Sequence, residues 1–188
     1  MSTSTSTGTI TQLESGTWNL DASHSAVGFT VRHLMVSKVR GKFTDFTANV
    51  VVADDPGDST VEAVVQMASI DTGDANRDNH LRTNDFFSVE DFPTMTLRST
   101  GFHLTGDDEL VMHADLTIRG VTKPVDFAVE FGGVGPDPWG GTRAGFNASA
   151  TISRKDFGIE WNAPLETGGV VVADKVNIEL DVELVKAS

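Results

Sequence analysis

Across most of its length the chain changes character at every second residue. From residue 110 to 119, Leu110, Met112, Ala114, Leu116 and Ile118 alternate with Val111, His113, Asp115, Thr117 and Arg119. A period of two puts the first set on one face of a β-strand and the second on the other, which a helix of 3.6 residues per turn cannot do. The pattern recurs in eight segments. The first carries Trp18 and Leu20, then Val27, Phe29 and Val31 beyond a turn at residues 21–23. Residues 43–53, 61–70, 94–104 and 110–119 follow, and then runs centred on Val125 to Phe131, Ala144 to Ile152 and Val176 to Leu184. Residues 37–42, ending in Arg40-Gly41, read as a break. Asp54-Asp-Pro-Gly-Asp58, Gly106-Asp-Asp108 and the Gly/Pro-rich residues 132–141 are the strong turn signals.

Eight strands joined mostly by short turns, each with one apolar face, predict an all-β fold: an eight-stranded antiparallel barrel. Closure removes the edges an open sheet of that size exposes. A barrel of eight strands is just wide enough to fill with side chains or to hold one small ligand. The inward set includes the small residues Ala114, Ala144, Ala148 and Ala150 beside Phe29, Phe127, Phe131 and Phe146. Either an elongated apolar guest occupies that space, or the alanines and phenylalanines pack against one another.

Alternation stops only between Asp71 and Pro93. There Asp74 is a good N-cap, and Arg77, His80 and Leu81 recur at helical spacing, so a short helix is expected between the third and fourth strands. Asp78 stands four residues before Arg82, the favourable order for a helical ion pair. So short a helix needs packing to persist, and Leu81, Phe86, Phe87 and Phe92 are available for it. The segment reads as a plug that keeps one end of the barrel dry, or as a lid over a cavity.

Length fits one domain of 188 residues, 39% hydrophobic. Residues 1–15 are Ser/Thr-rich and without Lys or Arg, so a disordered tail is expected, with the barrel domain over residues 16–188. The tail lacks the features of a secretory signal or transit peptide, and no window approaches the roughly 18 apolar residues of a membrane helix. A cytoplasmic protein without an integral membrane segment is the expectation. With no cysteine, disulfides, thiol catalysis and thiolate metal sites are all removed. The formal net charge of −13 argues against nucleic acid or an anionic membrane surface as partner.

Motifs that would demand catalysis or a cofactor are missing. The histidines at 24, 33, 80, 103 and 113 show no helical zinc spacing, and the glycines of residues 132–141 lack the following helix of a phosphate cradle. No metal and no cofactor are expected. Residues 153–161 end the seventh strand on a charged cluster before Trp161. Arg154 and Asp156 there either line a cavity mouth or form an ion pair that fixes the loop.

Five blocks in order along the chain resemble the YceI family of lipocalin-like, polyisoprenoid-binding proteins. They are Trp18-Asn-Leu-Asp-Ala-Ser-His-Ser25 with Phe29 and His33; Val39-Arg-Gly-Lys-Phe43; Arg77-Asp-Asn-His-Leu-Arg82 with Asp85-Phe-Phe87 and Phe92-Pro93; Leu116-Thr-Ile-Arg-Gly-Val-Thr-Lys-Pro-Val125; and Ser153-Arg-Lys-Asp-Phe-Gly-Ile159. The resemblance implies a lipocalin-like barrel, a homodimer, and an isoprenoid chain in the apolar interior with its head group near the mouth. Carried over, it places Arg77, Asp78, His80, Arg82, Arg154 and Asp156 around the head group, and Phe29, Phe87, Phe127, Phe146 and Trp161 along the chain. Carboxylates outnumber Arg and Lys between Asp71 and Glu90, which fits a neutral head such as a quinone ring better than a pyrophosphate. The expected role is binding, transport or storage of a long-chain lipid without catalysis. The alternatives are a lipid hydrolase or isomerase using His80 with Asp78 or Asp85 as acid and base, or a filled barrel that binds another protein.

Overall fold

In the computed structural model of the chain, residues 10–165 and 171–188 are described. The strands are β1 (Gly16–Leu20), β2 (Ala26–His33), β3 (Ser37–Phe43), β4 (Phe46–Val52), β5 (Thr60–Gln66), β6 (Ile70–Asp71), β7 (Thr94–Leu104), β8 (Glu109–Ile118), β9 (Val121–Pro136), β10 (Thr142–Ser153) and β11 (Val172–Lys186). One α-helix, α1 (Ala75–Leu81), interrupts them. All pairings are antiparallel, in the order β1-β4-β5-β7-β8-β9-β10-β11, and β1 pairs back onto β11 through Trp18 opposite Lys186 and Leu20 opposite Leu184. That ring is the eight-stranded barrel. Strands β2, β3 and β6 continue β1, β4 and β5 past local bends, with β2 on β11, β3 on β2 and β6 on β3. Neighbours in sequence are therefore neighbours in space, and all eight strands run up and down in turn.

Residues 37–42 are a strand, not a break. Their alternation is masked because Gly41 stands at an inward position. It faces Phe29 across the β2–β3 pair, and a Cβ at Gly41 would overlap the Phe29 ring. The link expected at residues 120–124 shrinks to a two-residue turn, Arg119 and Gly120, both at positive φ (51° and 72°), as a primed hairpin turn requires. Pro124 then falls inside β9, where β8 supplies the only pairing among the described residues. At the other end β9 runs on to Pro136, so the Gly-rich stretch contributes strand as well as turn.

The alternation of β8 lands as expected, with Leu110, Met112, Ala114, Leu116 and Ile118 all buried. Around the ring Leu110, Met112 and Ala114 share a core with Trp18, Phe127, Phe131, Ala144 and Leu184. Residues 1–9 of the expected tail lie outside the described residues. Residues 10–15 do not trail away: Ile10–Gln12 form a turn of 3-10 helix, Ile10 is buried, and its N–H donates to the Asp107 carbonyl at the β7–β8 turn. Ile10 and Leu13 close that end of the barrel against the core. The opposite end is closed by α1 and the residues after it, where Phe86 packs with Leu116, Ile118, Ile152, Phe157 and Ile159.

Candidate functional site

The interior between these two ends is not filled. A cavity of about 340 Å³ extends from Ile10 and Leu13 at one end to Phe157 and Ile159 at the other. That is within the range of small-molecule sites, about 300 to 1,000 Å³. Its walls follow from the period-two pattern: each strand contributes every second side chain, such as Val27, Phe29 and Val31 from β2 and Ile178, Leu180 and Val182 from β11. Phe29, Phe87, Phe127 and Phe146 all line it. Trp161 does not. It is half-buried outside the wall, edge-on to the His80 ring (centroids 4.9 Å apart) and tilted against Phe86 (5.3 Å).

Helix α1 turns only Leu81 to the cavity, with Phe86 and Phe87 following it. Asp74 caps the helix as expected, accepting from the Arg77 N–H at 2.9 Å, and these bonds hold its carboxyl below the usual carboxylate range. The polar residues of α1 serve the segment itself. Arg77 donates to the Thr72 hydroxyl and carbonyl, and Asp78, buried, accepts from the Thr72 N–H and hydroxyl. Arg82 donates to the carbonyls of Ala68 and Ile70 and to Asn79, so the expected Asp78–Arg82 pair does not form. His80 Nε2 lies 2.9 Å from Asp85 Oδ2, with its ring edge-on to Phe86. These four side chains are gathered in one segment at one end of the barrel, and none of them reaches the cavity wall.

Arg154 does reach it, and the reason is not ion pairing. Only 4% exposed, its guanidinium donates to the carbonyls of Ala173, Ile159, Trp161 and Val172. Burial pushes its pKa down, and Asp174 opposes that. Asp156, two residues on, is exposed, so Arg154 and Asp156 are not brought together. The fork ties the 3-10 turn Arg154–Phe157 to the start of β11 across the intervening loop.

Two further groups were not marked by any spacing. Arg119, in its positive-φ turn, donates to the carbonyls of Phe86 and Gly158, pinning the segment after α1 to the loop after β10. At the other end Arg143 Nη1 donates to Asp21 (2.7 Å) and Glu183 (2.9 Å), and its Nε to Asp137 (3.0 Å). Asp21, His24 and Glu183 bring their polar atoms within 4.8 Å of one another, and Arg143 is the cation that pairs with the two carboxylates. The acid-rich turns gave no signal for it, because two of its three partners are 122 and 40 residues away.

A closed antiparallel barrel of eight strands around an apolar cavity defines a lipocalin-like binding barrel. Within that class, the model of the YceI-like domain matches residues 18–184, and the chain belongs to the YceI family. A UPF0312 protein of Staphylococcus epidermidis is 41% identical over 170 residues, covering 88% of this chain and 95% of that one. The Azotobacter vinelandii UPF0312 protein is 42% identical over 141 residues, 74% of this chain and 73% of its own. Among solved structures, the Campylobacter jejuni YCEI protein superposes with a TM-score of 0.71 at 28% identity, covering 84% of this chain and 90% of that chain. A polyisoprenoid-binding domain from Saccharophagus degradans shares the fold, with a TM-score of 0.67 at 15% identity over 89% of this chain and 97% of that one.

Proposed function

We propose that the barrel binds one extended apolar chain, a polyisoprenoid or similar long-chain lipid with a neutral head group, and carries or stores it without chemical change. One observation carries the reading: the unfilled, almost wholly apolar cavity that runs the length of the barrel. Family membership and the polyisoprenoid-binding domain among the structural neighbours agree with it. Each buried CH₂ contributes about 0.8 kcal/mol, so a few isoprene units supply large gross affinity before the cost of ordering them. Among the described residues the cavity's only cationic lining group is Arg154, whose donors already meet four carbonyls. A pyrophosphate would find no free cation there, whereas an uncharged quinone ring needs no charged partner.

Catalysis by His80 is the weaker reading. Its partner is Asp85 rather than Asp78, and the pair stands behind Phe86, off the cavity wall. A bound chain would not meet it.

Native mass spectrometry of protein purified from its own source tests the proposal. The expected result is a stoichiometric adduct of isoprenoid mass, released by solvent. A clean unliganded mass, in protein that also takes up no added polyprenyl quinone, would overturn it.

A further inference from the structure

The β2–β3 hairpin joins three properties found together nowhere else among the described residues. Its tip, Leu34-Met35-Val36, is apolar and exposed (39%, 51% and 85%). Leu34 and Met35 both hold left-handed backbone, φ 53° and 63°, a conformation that disfavours residues other than Gly, Asn and Asp. Strain kept at exposed hydrophobic side chains contributes nothing to the core, and such outliers gather at functional sites.

The second property is charge. From Ala22 to Thr44 the chain carries Arg32, Lys38, Arg40 and Lys42 and no carboxylate, in a protein of net charge −13. Arg32 is paired in register with Lys38, Thr30 with Arg40 and Gly28 with Lys42, so the four cations share the outward face of one hairpin. All four are exposed, and none has an ion-pair partner among the described residues. Of the acidic neighbours, Asp71 opposite Lys42 and Glu179 opposite Gly28 stand at the foot, away from the tip, while Asp174, in the β11 bulge opposite Arg32, accepts from the Ser153 hydroxyl and the Lys155 N–H.

The third is position. The inward face of the same hairpin, Val27, Phe29 and Val31, is cavity wall. Beyond Lys42 and Phe43 the outer edge of β3 has no partner strand among the described residues, while the β2 edge stays paired with β11 up to His33 opposite Val172, so the hairpin is open along one side and at its tip.

We infer that the β2–β3 hairpin docks the protein on an anionic bilayer surface, with Leu34, Met35 and Val36 entering the interface and the basic face lying against the head groups. An apolar tip with a basic flank is the complement of that surface, and screening limits the repulsion of distant carboxylates to about 10 Å at 0.1 M salt. The net charge argues against such a partner only when the whole molecule is treated as one charge. The inference goes beyond the lipid-cargo reading and does not depend on it.

Co-sedimentation of the full chain with phosphatidylcholine vesicles, with and without phosphatidylglycerol, tests it. Binding is expected only with phosphatidylglycerol, and weakening with salt. Met35→Ser/Val36→Ser should lower partitioning roughly tenfold through lost apolar burial. Arg32→Gln or Lys38→Gln should each lower it about fivefold. Because these side chains are exposed, thermal melting of the variants should match the parent. Partitioning unchanged by all the substitutions, or no weaker into neutral vesicles, would overturn the inference. So would a concentration-dependent dimer abolished by the tip substitutions, which would give the surface to a second copy. Vesicles free of isoprenoid keep the two readings apart: docking can fail while cargo uptake persists, and the reverse.

Discussion

Arg154 shows how one side chain changes meaning between sequence and structure. In the sequence it belongs to a charged cluster beside Asp156; in the fold it is nearly inaccessible and holds four backbone carbonyls. Only a planar fork with five donors reaches so many acceptors, so Lys is no substitute despite its charge. Arg154→Lys is expected to lower stability by about 2 kcal/mol or more, since each carbonyl left buried without a donor costs about 1–3 kcal/mol. Urea unfolding measures that, and a lipid-uptake assay on the folded fraction completes the test. If stability were kept while head-group preference changed, Arg154 would be a ligand residue after all. Gly41 poses the opposite case, a residue whose importance is the absence of a side chain. Gly41→Ala forces the Phe29 ring from its place over the β2–β3 pair, at an expected cost of about 1–3 kcal/mol by the same unfolding measurement. An unchanged midpoint would mean the ring swings freely into the cavity.

At the scale of elements, the strands were legible wherever one face is apolar and the other polar, as in β8 and β11. Legibility failed where small residues hide the period. Gly41 erases it in β3, and Pro124 with its polar neighbours hides the start of β9. Helix α1 was readable from Asp74 and the Leu81 spacing, but the direction of its charges was not. Spacing along one helix cannot show that Thr72, Ala68 and Ile70, which precede it, supply the partners. Nor could it show whether the segment opens. Asp74→Ala removes the cap and should weaken the helix by about 1 kcal/mol, read as roughly fivefold faster amide exchange in α1. If a bound polyprenyl chain then leaves faster in step, the segment is a lid. If release is unchanged while α1 exchanges faster, it is a plug and the chain enters elsewhere.

The whole barrel has a seam, because its closure rests on the pairing of β1 with β11, the first strand with the last. Arg143 fastens the structure there by joining the bend after β1 (Asp21), the turn after β9 (Asp137) and β11 (Glu183). This long-range convergence is what no local pattern in the sequence could display. The same contacts predict a pH response. Ser23 first and Arg143 next hold the Asp21 carboxyl well below its ordinary value of 3.8, and Gly141 and Trp139 N–H groups with Arg143 do the same for Asp137. A depressed folded pKa gives stability that is complete above the unfolded value and is lost as pH falls through the folded one. Stability should therefore decline from about pH 4 downward as these carboxylates protonate. His24 has the opposite sign. Asp21 raises its pKa above 6.5, so its contribution is complete below that value and fades as pH rises through the folded pKa. In Arg143→Gln the clasp loses its cation: stability at neutral pH should fall, and the acid decline should flatten because Asp21 and Asp137 then titrate nearer to their unfolded values. Thermal melting from pH 2.5 to 8 reads both effects at once. A variant whose acid decline is as steep as the parent's would show that Ser23 and the backbone amides hold these carboxylates without the arginine, and that the seam closes on main-chain pairing alone.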